Sequence, residues 1–169
     1  MRYRITRKNI FYAFNEVIIY GIILLSITIY LWHEYPGIFL VVSVLLTFFY
    51  LFVIFFPVLI LFLNYYRYNK DDTVIIEKTK IIFNNRVINT QDIQKIDIFG
   101  NRMYLSGQVG KLPHQDYFYF LLLTLKDGSQ LILTSLLERN IDKKIKEKYS
   151  NLTYIEHVRS YPLISDIKH

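Results

Sequence analysis

Residues 38–66 read IFLVVSVLLTFFYLFVIFFPVLILFLNYY, a run without a single charged side chain. An α-helix rises about 1.5 Å per residue, so about 20 apolar residues cross the roughly 30 Å hydrocarbon core of a bilayer. The run therefore predicts a transmembrane helix with residues to spare, and either tilt or a cytosolic extension has to absorb the surplus. Pro57 lies inside the run and lacks a backbone donor, which predicts a kink near residues 53–57. This proline is compatible with an ordinary membrane helix or with a functional hinge.

A second apolar run, VIIYGIILLSITIYLW at residues 17–32, precedes the first and also carries no charge. It needs either residues 11–16 or a thinner bilayer to span the membrane. A cleaved signal peptide is the alternative, but no small-residue cleavage motif follows the run. Only residues 33–37 separate the two runs, which leaves room for a tight turn alone. Residues 1–70 are therefore expected to form a basic N-terminal segment and a transmembrane helical hairpin, with spans at about 14–33 and 38–63.

The flanking charges predict the orientation of this hairpin. The turn between the spans carries no Lys or Arg, whereas basic residues lie beyond the other end of both spans: Arg2, Arg4, Arg7, Lys8, Arg67 and Lys70. Cytoplasmic loops are enriched in Lys and Arg, so both termini are expected in the cytoplasm and the protein in the inner membrane as a two-pass chain. Glu16 falls near the cytoplasmic boundary, where reaching out to the interface is favoured over a functional role inside the bilayer.

After residue 70 the chain changes to short β-rich runs separated by turn residues, which is typical of a compact antiparallel sheet. The expected strands are residues 73–77, 80–83, 86–89, 92–99, 117–126 and 129–135. Residues 136–149 place apolar side chains four apart and predict an amphipathic helix with Ser135 as its N-cap. We expect this domain to occupy residues 71–150. Residues 151–169 form a tail whose apolar spacing is near-helical up to Pro162.

The hairpin on either side of Asp127-Gly128 is apolar on both faces. A two-residue loop would set Leu122 opposite Leu133 and Thr124 opposite Leu131. Only one face can meet the core of the domain, so the other has to contact the helix, the membrane hairpin or another protein. On this basis Leu122, Leu131 and Leu133 are a candidate protein interface. Alternatively, the C-terminal helix covers one face and the bent sheet closes over the other.

The chain contains, in order, two spans, a meander, RVINTQDIQKIDIFG at residues 86–100, LLLTLKDGSQLIL at residues 121–133 and a closing helix. This arrangement resembles bacterial membrane proteins with a pleckstrin-homology-like domain. The resemblance implies a bent, seven-stranded antiparallel sheet or barrel capped by a C-terminal helix, which serves as a binding or assembly module. Six strands are clear, and residues 102–105 are the place for the seventh. The expected fold class is thus a membrane α-helical hairpin plus a small PH-like α+β domain.

The residues that carry enzyme chemistry do not form a set in this sequence. Without cysteine there are no disulfides, thiolate nucleophiles or Cys-ligated metals. A close pairing of a histidine with a carboxylate, His114 with Asp116, lies in a loop without further ligands nearby. We therefore expect no enzymatic activity, no cofactor, no metal and no small-molecule substrate. Residues 71–169 hold fourteen basic and twelve acidic side chains, which is too close to neutral for a nucleic-acid partner.

Two functional classes remain. The first is a non-enzymatic assembly module that docks onto a second copy of the chain or onto another membrane protein, as a homo-oligomer or an accessory subunit. The alternative is a sensor of anionic membrane lipid, in which Lys78, Lys80 and Arg86 contact the headgroup. Against the alternative, Glu77 and the Asp71-Asp72 pair dilute this basic patch.

Overall fold

The computed structural model describes residues 2–106 and 117–167. Helix α1 spans Arg7–Glu34, and Thr6 caps it by accepting a hydrogen bond from the Asn9 amide at 3.3 Å. The apolar run at residues 38–66 lies within α2 at Pro36–Phe49, a π-helical segment at Tyr50–Phe55 and α3 at Phe56–Asn69. The π-helical segment ends two residues before Pro57, so the distortion that the proline predicts lies directly before it.

Both helical runs are longer than the predicted spans, and both are long and apolar enough to cross a membrane. The most apolar 18-residue window of each is only 11% buried. The core helix of a soluble protein would be mostly buried, so these helices present their apolar side chains outward instead. The two runs pack closely where Gly21 faces Tyr50, because a Cβ atom at Gly21 would lie 3.0 Å from the Tyr50 hydroxyl. That hydroxyl donates to the Val17 carbonyl at 3.1 Å.

The first sheet is antiparallel and has the order β1-β2-β3-β4, with β1 at Arg2–Tyr3, β2 at Val74–Ile76, β3 at Lys80–Phe83 and β4 at Arg86–Asn89. Asn84 and Asn85 adopt φ of 46° and 70°, the left-handed turn that Asn tolerates. In strand β1, Tyr3 lies opposite Val74. Residues on both sides of position 70 therefore share one sheet. The domain boundary at that position stays a prediction.

The second sheet has the order β7-β6-β5-β8, with β5 at Ile93–Gly100, β6 at Tyr119–Leu125, β7 at Gln130–Thr134 and β8 at Tyr154–Val158. Strand β8 runs parallel to β5. The near-helical spacing of the tail is thus misleading, because the free edge of β5 draws these residues into the sheet. A short 3₁₀ helix follows at Ile164–Ile167. Residues 102–105, expected as a strand, form the four-residue helix α4.

The C-terminal helix α5 covers only Ile141–Lys148, and Asn140 rather than Ser135 precedes it. The preceding leucines explain why the helix starts late. Leu136 is buried in the cluster that contacts α1 and α3, whereas Leu137 is buried in the core between the two sheets. Consecutive side chains that point to opposite sides are typical of extended chain and not of a helix.

The hairpin register differs by one residue from the prediction. Leu122 lies opposite Ile132, and Leu121 lies opposite Leu133. The loop has three residues instead of two, because the Leu125 amide bonds to the Ser129 carbonyl at 2.9 Å. Gly128 adopts φ of 81°, as the left-handed position of a three-residue hairpin loop requires. A shift of one residue moves each side chain to the other face of the sheet.

Two hydrophobic clusters therefore lie on the two faces of the second sheet. The inner core lies between the two sheets and α5 and includes Ile81, Ile96, Ile98, Leu121, Leu123, Leu131, Leu133 and Ile145. The docking core lies between the second sheet and the helices α1 and α3, and it includes Ala13, Val17, Val58, Leu61, Tyr65, Phe99, Phe118, Phe120, Leu122 and Leu136. Both clusters are filled by this one chain.

Candidate functional site

The docking core joins the apolar helices to the sheet domain. Val58, Leu61 and Tyr65 are fully buried and spaced three and four apart, so they form one stripe along α3. The Tyr65 ring meets Phe118 edge-on at 5.5 Å and Phe120 at 6.0 Å between centroids. The C-terminal part of the apolar run at residues 38–66 therefore packs beside the sheet. This packing fits the extension that the surplus length of the run predicts.

Asn69 ends the same stripe and closes the free edge of β7. Its amide nitrogen donates to the Ile132 carbonyl at 3.1 Å, and its amide oxygen accepts from the Thr134 amide at 3.0 Å. These are the two bonds that a neighbouring strand would make, so the side chain replaces a strand at this edge. Asn69 is 2% exposed. Sequence reasoning did not single out Asn69. The feature that could have indicated it is an amide side chain at the end of an apolar stripe of a helix.

Helix α1 is held by hydrogen bonds to the chain between β7 and α5. The Asn9 amide nitrogen donates to the carbonyls of Leu136 at 2.7 Å and Leu137 at 2.9 Å. In return, the Tyr117 hydroxyl donates to the Asn9 carbonyl at 3.1 Å. Ala13 and Val17 continue this contact as buried residues. The first turns of α1 therefore pack on the sheet domain.

The tail after β8 also binds α3. The Tyr65 hydroxyl donates to the Pro162 carbonyl at 2.9 Å, and the Ile164 amide donates to the Asn64 side chain at 3.0 Å. The Tyr161 hydroxyl donates to the carbonyl of Pro57. Residues 159–164 thus connect the edge strand β8 to the helix beside the proline.

The predicted protein interface is not an exposed patch. Leu122 is 5% exposed and faces the helices in the docking core. Leu131 and Leu133 are 9% and 0% exposed and face the inner core. The one-residue register shift separates the three leucines onto opposite faces, and this chain covers all of them.

The predicted headgroup residues are not brought together either. Lys80 lies opposite Asn89 and Arg86 lies opposite Phe83, so the two side chains sit at opposite ends of the β3–β4 hairpin. Lys80 pairs with Glu77 at 3.5 Å. Arg86 pairs with Asp127 at 3.1 Å and donates to the Ser129 hydroxyl at 3.2 Å. Lys78 is exposed in the turn before β3.

A more strongly basic region lies where the helices join the first sheet. A cavity of about 480 Å³ is lined by Arg4, Ile5, Thr6, Arg7, Lys70, Asp71, Asp72 and Thr73. Arg2 lines two further cavities, of about 370 and 430 Å³. Arg4 lines the smaller of these as well as the first cavity. We call the basic residues around these cavities, Arg2, Arg4, Arg7 and Lys70, the junction cluster; Asp71, Asp72 and Glu138 line the same cavities. In the sequence, Arg2, Arg4, Arg7 and Lys70 indicated the topology of the hairpin, and Arg7 was also a possible partner of Glu16.

Asp97 is the central charged group of the second sheet, and sequence reasoning missed it. It is 3% exposed, and its carboxylate accepts hydrogen bonds from Lys95 Nζ at 2.9 Å and from His157 Nε2 at 2.8 Å. Burial raises the pKa of Asp97, but the hydrogen bonds from His157 and Lys95 outweigh it, so the pKa lies below its ordinary value. His157 also stacks on Phe99 at 4.5 Å. The bonds of Asp97 to Lys95 and His157 thus hold β8 against β5. In the sequence, the feature that could have indicated this site is a single carboxylate within an apolar strand.

Among the residues that the structure describes, no group of three or more His, Asp or Glu side chains could hold a metal ion. His114 and Asp116, the pairing considered from the sequence, lie outside the described residues. The described site residues therefore offer hydrogen-bond donors, cationic side chains and apolar surface.

The architecture defines a class of protein: a small α+β domain of two four-stranded sheets, among the described residues, docked onto two apolar helices. The sequence model of a family described as a PH domain matches residues 2–142. That range covers most of the chain, including both apolar helices, and the chain belongs to this family. No curated protein and no solved structure matches the sequence.

Proposed function

We propose that this protein is a non-enzymatic, membrane-anchored PH-domain module that works in an assembled unit, either as a homo-oligomer or as an accessory subunit of a membrane protein complex. The observation that carries the proposal is the docking core, in which fully buried side chains of α3 pack on the second sheet. The binding domain is thereby joined to its anchor without a flexible linker. A partner bound to the domain is held at a set position against the membrane.

The proposal includes the topology. The chain crosses the cytoplasmic membrane twice, and both termini and the sheet domain lie in the cytoplasm. Two observations support this arrangement. The apolar windows of both helices are largely exposed, and the junction cluster lies at the helix ends opposite to the turn at Tyr35. The positive-inside preference then orients the hairpin.

Cysteine labelling tests the topology cleanly, because the chain has no cysteine of its own. A membrane-impermeant maleimide is expected to modify a His33→Cys variant in intact cells, since the His33 side chain is 84% exposed beside the turn. A Lys126→Cys variant, placed in the exposed loop after β6, is expected to react only after lysis. The reverse pattern would place the domain outside, and reaction of both variants in intact cells would contradict a two-pass chain.

The surface that supports assembly is not the leucine patch expected from the sequence. Instead, large apolar side chains are exposed on β4 and β8, each of which lies at one edge of its sheet. Val87 on β4 is 54% exposed, and Ile155 and Val158 on β8 are 39% and 59% exposed. An edge strand also presents unpaired backbone donors and acceptors, to which a further strand can add. We propose these edges as the partner-binding surfaces of the domain.

Cross-linking of the full chain in native membranes, followed by sizing in mild detergent, is expected to give a species larger than one chain. Replacing Ile155 and Val158 with Lys should at least halve its yield, because two charges then oppose pairing at the β8 edge. Thr153→Lys, exposed just before the strand, is the matched control. Val87→Lys tests the β4 edge separately. A strictly monomeric wild-type protein with no co-purifying partner would refute the assembly proposal.

Lack of catalysis and of any bound cofactor remains part of the proposal. It is supported by the absence of cysteine from the sequence and by the engagement of Asp97, the buried carboxylate of the second sheet, with Lys95 and His157. Binding of anionic lipid is the second candidate function. The junction cluster favours it, whereas the positions of Lys78, Lys80 and Arg86 do not.

A further inference from the structure

We propose that the junction cluster binds the phosphate of an anionic phospholipid headgroup that enters from the membrane leaflet next to it. Arg4, Arg7 and Lys70 form the site, and Arg2 extends it into the adjoining cavities. The inference rests on the membrane anchoring proposed above, because the lipid has to lie beside the helices. It does not depend on assembly with a partner.

The site is built by the two segments that connect the helices to the first sheet. Residues 4–6 link β1 to α1, and residues 70–73 link α3 to β2. Pairing of β1 with β2 brings the two links side by side. The resulting cavity of about 480 Å³ has cationic side chains on both walls. A phosphate group needs much less room than this, so the cavity can also admit the adjoining part of a headgroup.

The acidic residues in this lining are already engaged. Asp72 accepts hydrogen bonds from the side-chain amides of Asn69 at 2.6 Å and Asn84 at 2.5 Å, one on each carboxylate oxygen. Asp71 meets Lys70 only at 3.8 Å, and both side chains are more than half exposed. Exposed ion pairs of this kind are weak, so Lys70 can exchange its partner for a phosphate.

The arginines are available to a ligand. Among the ion pairs formed between described residues, none involves Arg4 or Arg7. Arginine binds phosphate through paired N–H groups with defined geometry. Arg7 also begins helix α1, where the positive end of the helix dipole adds to the attraction for an anion. The site therefore offers directional donors and, with three cationic side chains against Asp71 and Asp72, a net positive charge.

The depth of the site favours a lipid as the source of the phosphate. Ala13 and Val17 of α1 are buried in the docking core, so the hydrocarbon core ends near these residues. Arg7 then lies roughly 9–15 Å beyond it along α1. The polar layer on each side of a bilayer is about 5–8 Å thick, so Arg7 lies just beyond this layer and its long side chain reaches back toward the lipid phosphates. Arg4 and Lys70 lie behind it and can hold a headgroup that extends further.

The test is native mass spectrometry of the full chain in detergent micelles, titrated with dioctanoyl phosphatidylglycerol. Phosphatidylcholine of the same chain length and inorganic phosphate are the comparison ligands. Wild-type protein is expected to retain phosphatidylglycerol in preference to phosphatidylcholine. Arg4→Gln/Arg7→Gln should weaken retention roughly tenfold or more, because each cation near a lipid surface contributes to anion attraction.

The matched control is Lys78→Gln/Lys80→Gln, which also removes two positive charges, but at the turn between β2 and β3. This variant should retain the lipid as wild type does. If the double arginine variant does not fold, the single variant Lys70→Gln, on the other wall of the cavity, is expected to weaken lipid binding.

Equal retention in both double variants, or equal retention of both lipids by the wild type, overturns the site. Displacement of phosphatidylglycerol by inorganic phosphate at equal concentration overturns the lipid as ligand. Failure of assembly or topology appears in cross-linking and labelling, and not in this assay.

Discussion

Leu133→Asp is expected to unfold the sheet domain, whereas Leu122→Asp is expected to release the helices from a domain that stays folded. The two leucines lie on adjacent strands but on opposite faces of the second sheet. Leu133 is fully buried in the inner core, and Leu122 is 5% exposed against α1 and α3. An uncompensated buried charge costs about 3–5 kcal/mol, which is a large share of the roughly 5–15 kcal/mol that stabilises a domain.

Hydrogen exchange of the full chain in detergent distinguishes the two outcomes. In Leu133→Asp, protection is expected to fall throughout β5, β6 and β7. In Leu122→Asp, these strands should keep their protection, while the amides of α3 near Tyr65 and the tail near Ile164 exchange faster. Thr153→Asp, at an exposed position just before β8, serves as the control and should leave both regions unchanged. Identical exchange patterns in the two leucine variants would contradict the assignment of two separate cores.

Tyr65→Ala is expected to destabilise the docked state by about 3–5 kcal/mol, as large aromatic-to-alanine substitutions do in packed cores. The ring fills the space between Phe118 and Phe120, and its hydroxyl holds the Pro162 carbonyl. Tyr65→Phe keeps the ring and loses only the buried hydrogen bond, which should cost about 1–3 kcal/mol. The order of stability is therefore wild type, then Tyr65→Phe, then Tyr65→Ala.

Tyr66→Ala is the matched control, because this neighbouring tyrosine is 38% exposed and lies outside the docking core. Its effect should stay below about 1 kcal/mol, which is usual for positions away from packed contacts. Thermal unfolding in one detergent, followed by near-ultraviolet circular dichroism, compares all three variants. If Tyr66→Ala destabilises the protein as much as Tyr65→Ala does, the docking core does not hold the domain to its anchor.

Some contacts of the site lie beyond sequence reasoning because they join residues far apart in the chain. Asn69 bonds to strand β7, and Asp97 bonds to His157 in a strand that runs parallel to its own. Nothing within a few residues of either side chain specifies these partners. The junction cluster was visible in the sequence as topology-setting charge, but the cavity required the pairing of β1 with β2. The headgroup patch predicted at Lys78, Lys80 and Arg86 was drawn from sequence proximity, and the strand pairing separates it.

The sequence by itself determined the features that depend on local chemistry. Charge-free apolar length defined the two long helices, the alternation of apolar residues located β2 to β7, and Asn84-Asn85 marked a turn that needs a left-handed backbone. The tertiary structure decided the rest. One residue of loop length set the register and divided the leucines between two cores. Open sheet edges recruited β1 and β8, whose own residues carry no clear strand signal. These outcomes depend on which surfaces are left to cover once the local elements have formed, and that is a property of the whole fold.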